Sequence, residues 1–233
     1  MDMEISPKDC SCSNCPNRWS NFNNLTPEEL DIVCKNRYEA KYKPGETIFK
    51  TGSPTSSAIF LVSGLGKVYL EGIDGKNLII GLAQPAMMIA GPGTFIDTRH
   101  HFTFTALTDV VACFIDLSIL KGFIHTNTKF AEGWLIDISK KALESHYRLL
   151  NLTQKKMPGR LAEALVYFSE KLYKNSEFDL PLSRQELGDF TNMAKESVIR
   201  ILKEFEDDHI IEMQNQRIRI MDKDKLKLIC NNG

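Results

Sequence analysis

Between positions 41 and 117 the apolar residues come in short runs separated by turn signals. The runs are Thr47-Ile48-Phe49, Ala58-Ile59-Phe60-Leu61-Val62, Lys67-Val68-Tyr69-Leu70, Leu78-Ile79-Ile80 and Val110-Val111-Ala112-Cys113-Phe114-Ile115. Between them stand Lys43-Pro44-Gly45-Glu46, Gly52-Ser53-Pro54, Ser63-Gly64, Gly72-Ile73-Asp74-Gly75, Gln84-Pro85 and Gly91-Pro92-Gly93. Each run has the length of one strand and each break suits a reversing chain, so this stretch predicts an antiparallel β-roll. Asp74-Gly75 suits a tight hairpin turn, where positive φ is needed.

After about position 130 the period changes. Ala131, Leu135, Ile138, Ala142, Ser145, Leu149 and Leu152 follow a 4-3-4-3-4-3 spacing, with no proline and no glycine beyond Gly133. That is the seam of a heptad helix over about 130–152. It fits either an amphipathic helix packed on its own β-domain or a long helix pairing with its copy in a second chain. The heptad spacing favours the second.

Met157-Pro158-Gly159 breaks the chain, and Pro158 suits a first helical turn. From Arg160 to Tyr173 the residues Leu161, Leu165, Phe168 and Leu172 share one helical face. Ser183 and Glu186 have the spacing of a capping box. Leu187 and Phe190 would face inwards from one short helix, and Val198, Ile201, Leu202 and Phe205 from the next. The link Thr191-Asn192-Met193 has the length of the turn in a helix-turn-helix. Gln214-Asn215-Gln216 then joins Ile210-Ile211-Glu212-Met213 to Arg217-Ile218-Arg219-Ile220, a hairpin that would form a wing.

A chain of 233 residues is long enough for two domains, predicted at 1–152 and 153–233. Hydrophobic residues at 42% and charged residues at 25% exclude a disordered or collagen-like chain. No apolar run reaches the roughly 18–20 residues of a membrane-spanning helix. The start, Met1-Asp2-Met3-Glu4-Ile5-Ser6-Pro7, lacks the basic and apolar regions of a secretory signal, so a cytoplasmic location without membrane contact is expected. The formal net charge of −1 carries no global sign of a nucleic-acid partner. From 154 to 233 there are fourteen Lys/Arg and fourteen Asp/Glu, so any DNA affinity depends on placement.

Placement on the second helix is informative. Lys195, Glu196, Ser197 and Arg200 would point outward near its N-terminus, where a recognition helix meets base edges in the major groove. Arg200 can donate twice to guanine, and Glu196 can accept from cytosine. Lys195 and Arg184 can hold phosphates. Glu196 and Arg200 stand four apart, so each can orient the other, and the pair alone would also fit an ordinary exposed ion pair.

The order of parts, with specific motifs, resembles the CRP/FNR family of bacterial transcription regulators along nearly the whole chain. The matching residues are Pro44-Gly45-Glu46, Phe49 and Gly52; Phe60-Leu61-Val62-Ser63-Gly64 with Lys67-Val68-Tyr69; Gly159-Arg160-Leu161-Ala162; Arg184-Gln185-Glu186-Leu187-Gly188; and Glu196-Ser197-Val198-Ile199-Arg200-Ile201-Leu202. The resemblance implies an α+β chain: an N-terminal cyclic-nucleotide-binding-like antiparallel β-roll, a long dimerisation helix and a C-terminal winged helix-turn-helix. It also implies a homodimer on a palindromic operator in double-stranded DNA, with half-sites about one helical turn (~34 Å) apart. An effector at the β-roll would control it, and RNA polymerase would be a further partner. No nucleophile–base pair, phosphate loop or paired-carboxylate signature points to an enzyme. The rival expectation is a dimeric ligand- or redox-sensing module with a metal centre and no DNA-reading role.

For the effector pocket the resemblance points to Ala90, Gly91, Arg99, His101 and Phe102. Relatives that bind cyclic AMP hold its phosphate with a glutamate and an arginine followed by a small hydroxyl residue. Gly91 falls at the glutamate position and His101 near the arginine, with bulky Phe102 beside it, which argues against cyclic AMP. Oxygen-sensing relatives carry an iron–sulphur cluster on three N-terminal cysteines and one in the β-roll, which maps to Cys10, Cys12, Cys15 and Cys113. Here the first pair is more closely spaced, and the relatives' third ligand would fall near Ser20. Free thiols on a frayed terminus, with Cys113 in the core, and zinc or thiol redox chemistry remain alternatives. Haem at His100-His101 is a further option, though a loop and core role fits that pair better. Cys34 and Cys230 suggest no chemistry, one on a packed helix and the other on a terminus.

Overall fold

The computed structural model describes residues 12–89 and 93–233. Cys10, Ala90 and Gly91, named above as candidate site residues, lie outside the described residues. The chain divides into two compact units, one from the stretches Met1–Glu71 and Ile80–Ala142, the other from Gly72–Ile79 and Leu143–Gly233. Among the described residues no helix is long and apolar enough to cross a membrane.

In the first unit, helix α1 (Pro27–Lys35) starts at a capping box between Thr26 and Glu29. Strands β1 (Arg37–Tyr42), β2 (Thr47–Phe49), β3 (Ser57–Ser63), β4 (Gly66–Glu71), β5 (Asn77–Ala83) and β6 (Met88–Ile89) follow. A short helix α2 (Gly93–Ile96), strands β7 (Thr103–Ala106) and β8 (Val110–Asp116), helix α3 (Leu117–Thr126) and the long helix α4 (Thr128–Gln154) complete the order. The strands form two four-stranded sheets, β1-β8-β3-β6 and β2-β7-β4-β5. At the β4–β5 turn Asp74 and Gly75 both take positive φ, 58° and 72°, as a tight hairpin requires.

The central strands β3 and β8 are apolar on both faces, and the side-chain alternation explains why. Ile59, Leu61, Ala112 and Phe114 line the roll interior with Phe49 and Phe104. Ala58, Phe60, Cys113 and Ile115 point the other way, into a second core with Trp19, Phe22, Phe130 and Trp134. There Trp19 meets Trp134 edge-on at 5.4 Å and Phe130 at 5.9 Å, an arrangement that favours aromatic pairs.

Helix α4 is 27 residues long, yet only Phe130 and Trp134 are buried along it. Of the seam residues, Leu135 is 65% exposed, Ile138 45% and Leu149 61%. Ala142 and Ser145 are exposed too, and Ala131 and Leu152 are half-buried.

The second unit contains helix α5 (Met157–Tyr167), with proline in its first turn, running on through a wider π turn over Phe168–Leu172. Strand β9 (Glu177–Asp179), helices α6 (Arg184–Thr191) and α7 (Lys195–Asp207), strands β10 (Ile211–Gln214) and β11 (Arg217–Ile220) and helix α8 (Lys223–Asn232) follow. The three strands form one small sheet in the order β10-β11-β9. Leu161, Leu165, Leu187, Val198, Ile201, Leu202 and Phe205 are buried together with Ile210 and Ile218, so the predicted inward faces do meet a core.

Candidate nucleic-acid interface and sensory site

Helix α6 begins at the capping box. Glu186 N–H donates to Ser183 Oγ at 3.3 Å, and Ser183 N–H donates to Glu186 Oε2 at 2.8 Å. The helix ends at Asn192, whose φ of 53° is the left-handed cap that turns the chain. Met193 N–H closes that turn on the Gly188 carbonyl at 2.9 Å. A Cβ on Gly188 would stand 2.6 Å from the Met193 carbonyl, so the close approach of helix and turn needs glycine there.

Two arginines hold the same turn. Arg160 donates to the Asn192 carbonyl at 3.0 Å. Arg148 donates to the Phe190 carbonyl at 2.7 Å and lies 4.3 Å over the Phe190 ring. Arg160 belongs to a stretch that carried no expected role, and Arg148 was not a residue that stood out in the sequence. No local pattern could expose either contact, because each joins residues more than thirty positions apart.

Helix α7 buries Val198, Ile201, Leu202 and Phe205, leaves Lys195, Glu196 and Arg200 exposed, and holds Ser197 half-buried. Among the described residues no ion pair holds Lys195 or Glu196. Arg200 pairs with Glu204 at 2.6 Å, which corrects the expectation that Glu196 orients it. The spacing is again four residues, and the guanidinium takes the carboxylate on its C-terminal side. Toward the C-terminal end the acids are tied as well: Glu206 and Asp207 to Lys203, and Asp208, just past the helix, to Lys225. Arg184 is half-buried and donates to the Asn215 carbonyl in the turn between β10 and β11 at 3.2 Å. Burial holds its pKa below the usual arginine range. On β11, Arg217 and Arg219 both pair with Glu177, at 2.6 and 2.9 Å.

In the β-roll unit, Arg99 donates to the Gly52 carbonyl at 2.8 Å. His101 Nε2 meets the Asp97 carboxylate at 3.1 Å, which holds that carboxyl below its ordinary pKa. His100 is buried and stacked on Phe49 at 3.8 Å, and Phe102 packs on Phe49 at 5.6 Å. Burial alone lowers the pKa of His100. A cleft of about 400 Å³ opens beside this stack, with Tyr38, Thr47, Ser57 and Phe114 in its walls.

The cysteines gather around Arg37. Its Nη1 stands 3.9 Å from Cys113 Sγ and 2.5 Å from Glu39. Burial pushes the Cys113 thiol up to about 11. Burial and the neighbouring Cys34 push the Cys12 thiol up to about 12. Cys34 shifts downward, first because the Cys12 backbone N–H donates to its sulphur. Cys34, which suggested no chemistry in the sequence, therefore lies near Cys12.

Iron–sulphur ligation needs thiolates converging on one point. Among the described residues no three Cys, His, Asp or Glu side chains are arranged to hold a metal ion. Cys113 faces Arg37, whose guanidinium stands 3.9 Å from its sulphur. Cys12, Cys15 and Cys113 form no such group among the described residues, and Cys10 lies outside them.

A β-roll with a helical cap, together with a winged helix-turn-helix that shows a polar recognition face, defines a DNA-binding transcription regulator with an effector-binding domain. Residues 39–127 match the cyclic nucleotide-binding domain model, and 159–229 match the Crp-like helix-turn-helix domain model. The chain belongs to the CRP/FNR family of transcription regulators. It is 27% identical over 221 residues to the transcriptional activator protein FnrA of Stutzerimonas stutzeri, covering 92% of this chain and 88% of that protein. It is 27% identical over 231 residues to the electron transport regulator A of Shewanella oneidensis, covering 97% and 90%. Its fold matches that of FixK2 from Bradyrhizobium japonicum with a TM-score of 0.76 at 20% identity, covering 83% of this chain and 96% of the other.

Proposed function

We propose that this regulator acts as a homodimer on a palindromic operator. The stretch 1–152 would sense and dimerise, and 153–233 would read DNA. The observation that carries this is the division of labour on α7. Its apolar face is used up inside its own unit, while Lys195, Glu196 and Arg200 stand exposed at its N-terminal end with Ser197 half-buried among them. Arg200 reads a guanine once DNA draws it from Glu204, and Glu196 accepts from a cytosine. Lys195 holds a phosphate, and Arg184 positions the wing through its bond to Asn215. The exposed seam of α4 supports pairing with a second copy, which would set two α7 helices about one duplex turn apart. The protein works by binding rather than turnover, in the cytoplasm, and RNA polymerase is the partner a bound activator would meet.

The effector of the β-roll is not a cyclic nucleotide in this reading. Arg99 is spent on the Gly52 carbonyl, and the Asp97 carboxylate stands beside His101 where a cyclic phosphate would need donors. Residues around Arg99, His101 and Phe102 still line the region where an effector would act, and its binding must favour one arrangement of the dimer over another.

The test is selection of bound duplexes from a random library, followed by footprinting of the winners. Two inverted half-sites protected by the parent chain, with readout at one base pair lost in Arg200→Ala, is the expected result. Protection without inverted symmetry would overturn the dimeric reading.

A further inference from the structure

The cleft beside the Phe49–His100 stack takes no part in the DNA-reading surface. Among the described residues its walls include none of Arg99, His101 or Phe102, so it is a different place from the region around Arg99. Its volume of about 400 Å³ falls in the range of sites that hold compact organic molecules. Two stacked pairs frame it. Phe49 on β2 lies against His100 at 3.8 Å, and Tyr38 on β1 lies against Phe114 on β8 at 4.8 Å with the rings parallel to within 3°. Thr47 and Ser56 add hydroxyls. Among the described residues Lys50 is the only wall residue with a full charge, and it is exposed.

His100 is the residue that points to a ligand. Its ring is 5% exposed. Two backbone bonds fix its place: its N–H donates to the Ser53 carbonyl at 2.9 Å, and its carbonyl accepts from the Gly52 N–H at 2.7 Å. Among the described residues its Nδ1 has no hydrogen-bond partner. Buried polar atoms are normally paired, so this nitrogen calls for a group that the folded chain itself does not supply. Burial lowers the pKa of the ring, which leaves the imidazole neutral. A neutral imidazole has one proton to place, and Nδ1 can hold it and donate it.

We propose that this cleft binds a planar aromatic carboxylate, with its ring among the four aromatic side chains and its carboxylate at Lys50 and His100. The walls select each part. Flat aromatic surface favours a ring over an aliphatic chain. One ammonium and one neutral donor match a single negative charge, whereas a phosphate dianion would need a second cation. A cationic ligand would meet Lys50 with no carboxylate to offset it. The site goes beyond the regulator reading and does not rest on it.

The experiment titrates the full chain, labelled with nitrogen-15 in histidine, with benzoate, 2-naphthoate and indole-2-carboxylate. Ring-nitrogen signals are followed by NMR, with those of His100 and His101 assigned by single replacement with glutamine, and affinities are measured by calorimetry. At least one acid should move the His100 signal saturably and move it further than that of His101. The matching aryl alcohol, and cyclohexanecarboxylate in place of benzoate, should bind about tenfold or more weakly. Lys50→Gln should erase the preference for acid over alcohol. Failure of all three acids to saturate by millimolar concentrations would overturn the proposal. So would a response confined to His101, equal affinity for acid and alcohol, or unchanged acid binding in Lys50→Gln. Lys50 is exposed, so that variant and the parent titration decide the matter even if a His100 variant does not fold.

Discussion

Helices α4 and α7 are both amphipathic, but they complete themselves differently. Along α7 the apolar residues Val198, Ile201, Leu202 and Phe205 are all buried, and apart from Ile199 what stands exposed is charged. Along α4 only Phe130 and Trp134 are buried, and Leu135, Ile138, Leu143 and Leu149 face outward. A helix whose apolar stripe finds its partner inside its own unit offers polar chemistry to a polar ligand. A helix with its stripe still uncovered lacks a hydrophobic partner, and a heptad stripe calls for another helix. The contrast separates the surface proposed to meet nucleic acid from the surface proposed to meet a second copy.

The strongest way to break this contrast is a charge in the α4 stripe. Ile138→Glu should leave the chain monomeric in sedimentation at concentrations where the parent pairs. Without the second recognition helix, operator affinity should fall about 100-fold to 10,000-fold. A variant that still pairs would show that α4 is finished by something else.

Next in size is the buried side of α7. Leu202→Ala should lower unfolding free energy by about 2–5 kcal/mol in denaturant titration. Ile199→Ala, on the outer side of the same helix, should stay within about 0.5 kcal/mol. Equal effects would contradict the one-sided burial.

On the free face, Arg200→Ala should weaken a selected operator by about 1–3 kcal/mol and relax one base position. Lys195→Ala should instead weaken all sequences alike and reduce the salt dependence by about one unit of slope. Competition binding at several salt concentrations separates the two. Ser183→Ala, which removes one half of the capping box, should cost about 1 kcal/mol of stability without changing base preference.

The smallest effect concerns acid. Hydrogen bonds from Lys227 and then Lys223 hold the Glu170 carboxyl down at about 2, against an ordinary 4.5. A carboxylate with a lowered folded pKa contributes stability that is full above its unfolded value. That contribution is lost as pH falls from about 4.5 toward 2. Glu170→Gln should remove this part of the acid slope and leave stability above it nearly flat, which urea titrations across that range would check.

Much of the second unit was legible locally. Capping at Ser183, the turn at Thr191–Met193 and the inward faces of α6 and α7 depend on contacts a few residues apart, so spacing alone reveals them. The β-roll was legible in part. Runs such as those of β3 and β8 stood out because both faces are buried. Strand β7, Thr103–Ala106, went unread because it follows a histidine-rich turn and carries threonines at alternate positions. Strand β1 was missed because its polar alternation resembles a loop, and of helix α1 only the helical setting of Cys34 was expected, because no seam spacing announces its bounds. Among the cysteines, sequence proximity suggested a set within 10–15 plus Cys113, whereas folding brought Cys34 to Cys12 from more than twenty positions away.

What the chain's order of residues determined unaided was the kind of elements, their sequence and the chemical character of each free face. These follow from backbone propensities and from periodicities of two and 3.6 residues. Only the tertiary structure decided which partner each polar group takes. It set Arg200 on Glu204 and not Glu196, Arg184 on the wing turn, and Cys12 against Cys34. Those choices depend on distances between residues remote in the chain or between equally spaced rivals, and no local pattern carries that information.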